Sequence, residues 1–330
     1  MSPVRRLPEG VSDPPDHDPP YPPLELAYRV GSLRDTADLW RTYEEMGAES
    51  KRRILEVLPA DWSFEGKRIL DFGCGAGRSL RHFTGEAEVA KVCGCDIDEP
   101  SIQWIQEHLS PPLVAFVNQE VPPIGRPSGS FDLIYALSVF THLTERWGDW
   151  LLELHRLLDD GGILIATFLG TERAARVLPP EVAGEQVRPE TTGMNQLAHG
   201  RSWDHGGPLV VHSEWWIREH WGRAFEILEL VGKGFWSNWD QGYVVMRKRP
   251  VELTVEALER PNRDDPRELD AARENVGQLA RQLAPFWDTV AELRERQAEL
   301  RGRVVRLRKA LDRQRSGDGP QESASDTDTD

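Results

Sequence analysis

Ile69-Leu70-Asp71-Phe72-Gly73-Cys74-Gly75-Ala76-Gly77-Arg78 is the stretch whose reading decides the fold. A short apolar run meets three glycines in alternation. That pattern is a buried strand entering a turn that needs unusual backbone freedom. Glycine reaches dihedral angles closed to other residues and lets the main chain approach a ligand closely. In open α/β sheets ligands bind at the carboxyl ends of the strands, where this turn falls. The spacing is GxGxG, one residue shorter than the GxGxxG of dinucleotide binders, which disfavours a nucleotide-linked dehydrogenase.

Outward from this turn, strand and helix patterns alternate. Strands are expected at 68–72, 89–95, 113–117, 131–137 and 163–168, with two final strands at 225–231 and 243–247. Helical patterns fall through Leu80 and Phe83, near 101–109, at 145–158 and at 213–221. Such alternation predicts βαβ units, hence an α/β fold: a Rossmann-like, seven-stranded, mostly parallel sheet with helices on both faces. Upstream, a helical pattern over 33–58 offers Leu39, Tyr43, Met46, Ile54, Leu55 and Leu58 as buried positions, and Pro59 closes it.

The remaining segments differ in composition. Residues 1–23 hold eight prolines and several aspartates, and are expected to form a disordered arm. The globular domain then spans 24–250. Within it, 170–212 fits no regular pattern and reads as a substrate-side insert. Residues 265–313 carry a heptad repeat. With Leu269 at an a position, twelve of the thirteen a and d positions from 269 to 311 are apolar, the exception being Gln297. This predicts a coiled-coil helix, which Pro285 should kink. Residues 314–330 read as a disordered acidic tail.

Composition narrows the function. A net charge of −15 argues against nucleic acid as the substrate. No apolar run approaches the roughly 20 residues of a membrane span, and residues 1–23 have no signal-peptide core, so a cytoplasmic location is expected. Cys74, Cys93 and Cys95 give no disulfide framework and no zinc-knuckle spacing, and read as buried, reduced thiols. No metal constellation stands out.

The motifs resemble those of class I S-adenosylmethionine (SAM)-dependent methyltransferases, over about residues 33–248. The resemblance implies that Asp71 holds the amino end of the cofactor's methionine and that Gly73, Gly75 and Gly77 line it. Asp96, 25 residues after Asp71, would accept from both ribose hydroxyls, with Asp98 as the alternative and Ile97 beside it. Asn118 would contact the adenine. Phe131-Asp132-Leu133-Ile134-Tyr135 matches the family's fourth strand, which places Ser138 to Thr141 beside the methionine moiety and the acceptor. Leu158-Asp159-Asp160-Gly161-Gly162 resembles the turn before strand five, with Asp160 where proline is usual. A narrower likeness, in Ser138-Val-Phe-Thr-His142-Leu, Val211-His212-Ser213 and the strand from Gln241, is to bacterial methyltransferases of glycan and secondary-metabolite pathways.

The leading expectation is methylation of a hydroxyl on a small-molecule or glycan acceptor. N- or C-methylation, or a non-catalytic scaffold presenting the coiled coil, are the alternatives. A hydroxyl acceptor needs a base. His142, after the fourth strand, is the first candidate and His212, at the end of the insert, the second; each could instead be structural. Trp203, Trp215, Trp216, Trp221, Trp236 and Trp239 could form a sugar platform or pack a core. In the tail, arginines at e positions (Arg273, Arg294, Arg301, Arg308) and g positions (Arg296, Arg303) would oppose one another in a self-paired coil. An acidic partner, either another protein or an acidic face of the chain's own globular domain, and a homodimer with splayed arginines all remain open.

Overall fold

The computed structural model describes residues 13–29, 38–177, 191–197, 207–237 and 240–317. The chain divides into two compact units, 1–278 and 279–330. In the first, β1 (Arg68–Phe72), β2 (Lys91–Asp96), β3 (Val114–Val117), β4 (Phe131–Ala136) and β5 (Leu158–Gly170) pair in parallel, in the order β3-β2-β1-β4-β5. β9 (Gly242–Lys248) pairs antiparallel with β5, and β8 (Phe225–Val231) with β9. These are the seven expected strands.

Neighbouring residues along the strands enter opposite cores. Ile69, Leu133, Ile163, Ile165 and Val245 join one cluster with Leu26 and Ala27 of α1 (Leu24–Ala27), Tyr43 and Met46 of α2 (Leu39–Val57) and Ile102 and Ile105 of α3 (Glu99–His108). Leu70, Phe72, Ile134, Leu164 and Val244 join the other, with Leu151 and Leu154 of α4 (Trp147–Leu157). A sheet buried on both faces explains why the strands are almost unbroken apolar runs. The three cysteines are free and buried. Leu55, expected in the core, is instead 41% exposed. It lies on the outer face of α2, whose inner stripe is filled by Tyr43, Met46 and Ile54.

The sheet is wider than the sequence pattern showed. After β5, α5 (Thr171–Val177) and two further strands follow, β6 (Met194–Leu197) and β7 (Leu209–His212). β7 pairs with Leu169 and Gly170 at the extended end of β5, and β6 pairs with β7. Four-residue strands carry too few alternations to be read from periodicity. The rest of the insert, 178–190 and 198–206, lies outside the described residues, as do Trp203 and Trp239. After β7 come α6 (Glu214–Ala224), α7 (Val255–Glu259) and α8 (Pro266–Gly317). The first turns of α8, to Gln278, belong to the first unit. There Glu268 bonds His220 of α6 at 3.0 Å.

Two local expectations are corrected. The helix after the glycine turn is only a 3-10 turn, Leu80–Phe83. Gly73, Gly75 and Gly77 all have positive φ, which no α-helix admits, so regular structure starts late and must return to β2 by residue 91. The arm expected to be disordered is docked at its described end. Tyr21 is buried against Trp40 and Tyr43, with ring centroids 5.4 and 6.0 Å away. The cause is Arg81, only 2% exposed. Its guanidinium donates to the carbonyls of Pro19 and Pro20, contacts His17 Nδ1 at 3.1 Å and lies 4.5 Å from the Tyr21 ring centre. Residues 1–12 lie outside the described residues.

Arg81→Ala leaves two carbonyls and a ring without their partner. It is expected to cost about 3 kcal/mol of stability in chemical denaturation and to expose residues 13–23 to protease. A variant with wild-type stability and protease resistance would remove Arg81 as the anchor.

Candidate active site

The strand order reverses direction between β1 and β4, so the crevice at their carboxyl ends is where an α/β sheet takes a ligand. Asp71 is in β1, directly across from Tyr135 of β4 and Gly94 of β2. Its carboxyl group is buried, which pushes its pKa up to about 8; the Tyr135 hydroxyl and the Arg78 charge pull it down, and Asp96 pushes it further up. An added cationic group in the crevice would ionise it.

The loop after β1 is shaped by β2. The amides of Gly73 and Cys74 donate to the Cys95 carbonyl at 2.8 and 3.0 Å. The Gly75 amide donates to Asp96 Oδ2 at 2.7 Å, and the Asp98 amide to Asp96 Oδ1 at 2.9 Å. Asp96 therefore ends β2 with both carboxylate oxygens held by main-chain amides, each with a lone pair left for a ligand. Burial raises its pKa and those amides lower it. Asp98, the alternative, is engaged elsewhere: it forms an ion pair with Arg29 and accepts from the Ser101 hydroxyl.

The glycines divide the work. At Gly75, φ is +52° and a Cβ would meet nothing within 4 Å, so space opens beside Asp96. A Cβ at Gly77 would instead crowd Leu109 and Ile105 at 3.2 and 3.4 Å, and its φ of +77° is the stronger reason for glycine there. Ile97 is exposed next to Asp96. Asn118 follows β3; its amide donates to the Asp96 carbonyl and its side-chain Nδ2 to the Gln119 carbonyl. Its buried Oδ1 has no hydrogen-bond partner. An orphaned buried acceptor, an open glycine and a carboxylate with spare lone pairs fit the adenine amino group and ribose hydroxyls of an adenosyl cofactor.

Beyond β4 the chain turns sharply. Ser138 has φ +60°, rare for a residue with a side chain and a common sign of a constrained functional turn. Three contacts hold it. Its amide donates to Thr167 Oγ1 at 2.7 Å, its carbonyl accepts from the Thr141 hydroxyl, and its hydroxyl bonds the Gln241 carboxamide. Gln241 and Thr167 were missed as partners because they come from β5 and the approach to β9, over 25 residues away. Arg78 and Tyr135 were quoted within motifs, and only the fold shows them at Asp71.

The two histidines fare differently. His142 Nδ1 lies 2.7 Å from the Pro208 carbonyl, which can only accept, so Nδ1 carries the proton and Nε2 is the basic nitrogen of the neutral ring. His212 is fully buried between Trp216 and Trp221, with both ring nitrogens unpaired. Burial pushes its pKa down to about 3, too weak for a base near neutrality. Trp216, Trp221 and Trp236 are also buried and the half-buried Trp215 packs against the same core, so the described part of the tryptophan set is structural. Among the described residues no group of three or more His, Cys, Asp or Glu could hold a metal ion.

The family model described as a methyltransferase domain matches residues 70–166, from β1 into β5. A fatty-acid O-methyltransferase of Mycolicibacterium smegmatis is 27% identical over 35% of this chain and 42% of its own length. A tRNA U34 carboxymethyltransferase of Alcanivorax borkumensis is 33% identical over 35% of this chain and 36% of its own. The chain spans less than half the length of these curated relatives. A solved structure of magnesium protoporphyrin IX methyltransferase from Synechocystis, with S-adenosylhomocysteine bound, superposes with a TM-score of 0.46 at 18% identity, over 68% of this chain and 93% of that one. The matched span holds Asp71, the glycine loop, Asp96, Asn118 and Ser138, so the part of the chain that carries these residues is the part similar to a methyltransferase domain.

Proposed function

We propose that the protein transfers the methyl group of SAM to a hydroxyl of a small-molecule or glycan acceptor. The observation that carries this reading is His142, whose ring is oriented by Pro208 through Nδ1, just past the Ser138 turn. N- or C-methylation of an already basic or activated atom would have less use for such a group. A relative named as an O-methyltransferase is in keeping with it.

In this reading Asp96 accepts from the ribose hydroxyls, Asn118 Oδ1 from the adenine amino group, and Asp71 faces the methionine ammonium. When bound, SAM supplies a methyl group already activated on a sulfonium sulfur. The fold's main contribution is then alignment, which is worth roughly 7–11 kcal/mol when complete. His142 Nε2 would take the proton of the acceptor hydroxyl, beside the donor held by Asp71, Asp96 and Asn118. The strained turn at Ser138, braced by Thr167 and Gln241, keeps His142 and the crevice in register.

The test is transfer of labelled methyl from SAM to a panel of sugars, lipids and metabolites bearing hydroxyls, with amines and tRNA alongside. Label on a hydroxyl oxygen is expected; label only on nitrogen, carbon or tRNA would overturn the proposal. With the acceptor found, His142→Gln is expected to lower kcat by roughly 10²–10⁴-fold while leaving S-adenosylhomocysteine affinity unchanged. A kcat within threefold of wild type would remove His142 as the base.

A further inference from the structure

From Leu279 to Gly317, α8 lies in the second unit. Its heptad seam is open to solvent: Leu283, Phe286, Leu293, Leu300, Val304, Leu307 and Leu311 are all exposed. Aliphatic and aromatic side chains in a stripe of this length are a surface built to be covered.

The flanks say what could cover it. From residue 289 to 315, positions e are Arg294, Arg301, Arg308 and Arg315, and positions g are Thr289, Arg296, Arg303 and Ala310. No acidic residue borders the seam over this stretch. Glu292, Glu295 and Glu299 fall at c and f, on the far side of the helix.

We propose that this face is a docking surface for an amphipathic helix of another protein, one with an apolar seam bordered by aspartate or glutamate. Three observations select this partner over its rivals. A second copy is disfavoured by charge. Parallel pairing sets each g against the e of the following heptad, Arg296 against Arg301 and Arg303 against Arg308; antiparallel pairing sets g against g and e against e, again arginine against arginine. A flat lipid surface is disfavoured by period. The apolar residues and the arginines both recur every seven residues, a 3.5 repeat that drifts about 20° per heptad around a straight helix. A supercoiling partner helix follows that drift and a plane does not. A nucleic acid would meet the arginines but leave the seam uncovered. Gln297, alone among the apolar a positions, would select a polar residue opposite and so set the register.

The test uses the full chain and two synthetic 28-residue heptad peptides with identical isoleucine and leucine seams. One carries glutamate at e and g, the other lysine. The chain is expected to sediment as a monomer and to bind the glutamate peptide one to one, at least a hundredfold tighter than the lysine peptide. Raising salt from 50 to 500 mM should weaken that binding. A variant carrying Arg294→Glu, Arg296→Glu, Arg301→Glu, Arg303→Glu and Arg308→Glu, with helix content checked by circular dichroism, should reverse the preference. A dimer that Leu300→Asp with Leu307→Asp converts to monomer would overturn the proposal in favour of a second copy. Binding to phosphatidylglycerol vesicles without preference between the peptides would overturn it in favour of a membrane, and failure to bind either peptide would overturn it outright.

Discussion

Asp96→Ala is expected to weaken S-adenosylhomocysteine binding about a hundredfold in calorimetry. The carboxylate is positioned at the end of β2 with one lone pair of each oxygen satisfied by Gly75 and Asp98 amides. The remaining lone pairs are those proposed to accept from the two ribose hydroxyls. Hydrogen bonds to a charged group are worth roughly 1.5–3 kcal/mol each, so losing both costs about 3 kcal/mol, or two decades of affinity. Alanine also releases the Gly75 amide, which loosens the turn itself. Asp96→Asn separates the effects, since it keeps one acceptor oxygen and is expected to lose about tenfold. Unchanged affinity in Asp96→Ala would remove the ribose contact, and a wild type that binds no S-adenosylhomocysteine would remove the enzyme reading.

The second large effect is a pH dependence with a definite sign. Asp71 has a pKa of about 8 in the ligand-free protein, because burial penalises its charge. A cofactor ammonium needs the ionised form. Binding therefore releases a proton at neutral pH, and affinity should rise with pH, by close to tenfold per unit below pH 7, and level off above pH 8. Asp71→Asn should bind weakly with no such slope. Stability should run the other way. A carboxyl whose folded pKa exceeds its unfolded value of 3.8 binds more protons when folded, so its contribution is lost as pH rises from about 4 to 8. Asp71→Asn should thus be more stable than the ligand-free wild type at pH 8, by a margin that shrinks toward pH 4. A wild type whose affinity is flat between pH 6 and 8 would show that Asp71 does not meet the ammonium.

How much of this was legible in the sequence depends on the range of the interaction. β1, the glycine turn and β2 could be read because each is a short run with a strong local pattern, and Asp71 and Asp96 come with them. The 3-10 turn was not, since Leu80 and Phe83 are spaced for a helix, and only the run of positive φ through Gly77 and the return to β2 at Lys91 cut it short. β6 and β7 are too short to show a period and exist by pairing with the end of β5. The docked arm escaped because its anchor, Arg81, lies some 60 residues from the prolines it holds, and a charged residue in a 3-10 turn reads as exposed. His212 had the right position for a base; its burial between two tryptophans is a property of the fold alone.

The ring of His142 is oriented by Pro208, and the Val210 amide donates to the Thr141 carbonyl one residue before it. The segment that orients His142, the proposed base, is thus the tail of the insert, while the residues proposed for the cofactor lie in or just after β1 to β4. Acceptor choice and proton removal would then be inherited as one module, separable from cofactor recognition. Exchanging residues 170–212 with those of a relative would change which molecule is recognised and which imidazole nitrogen is basic in a single step, and Asp71 and Asp96 would be untouched.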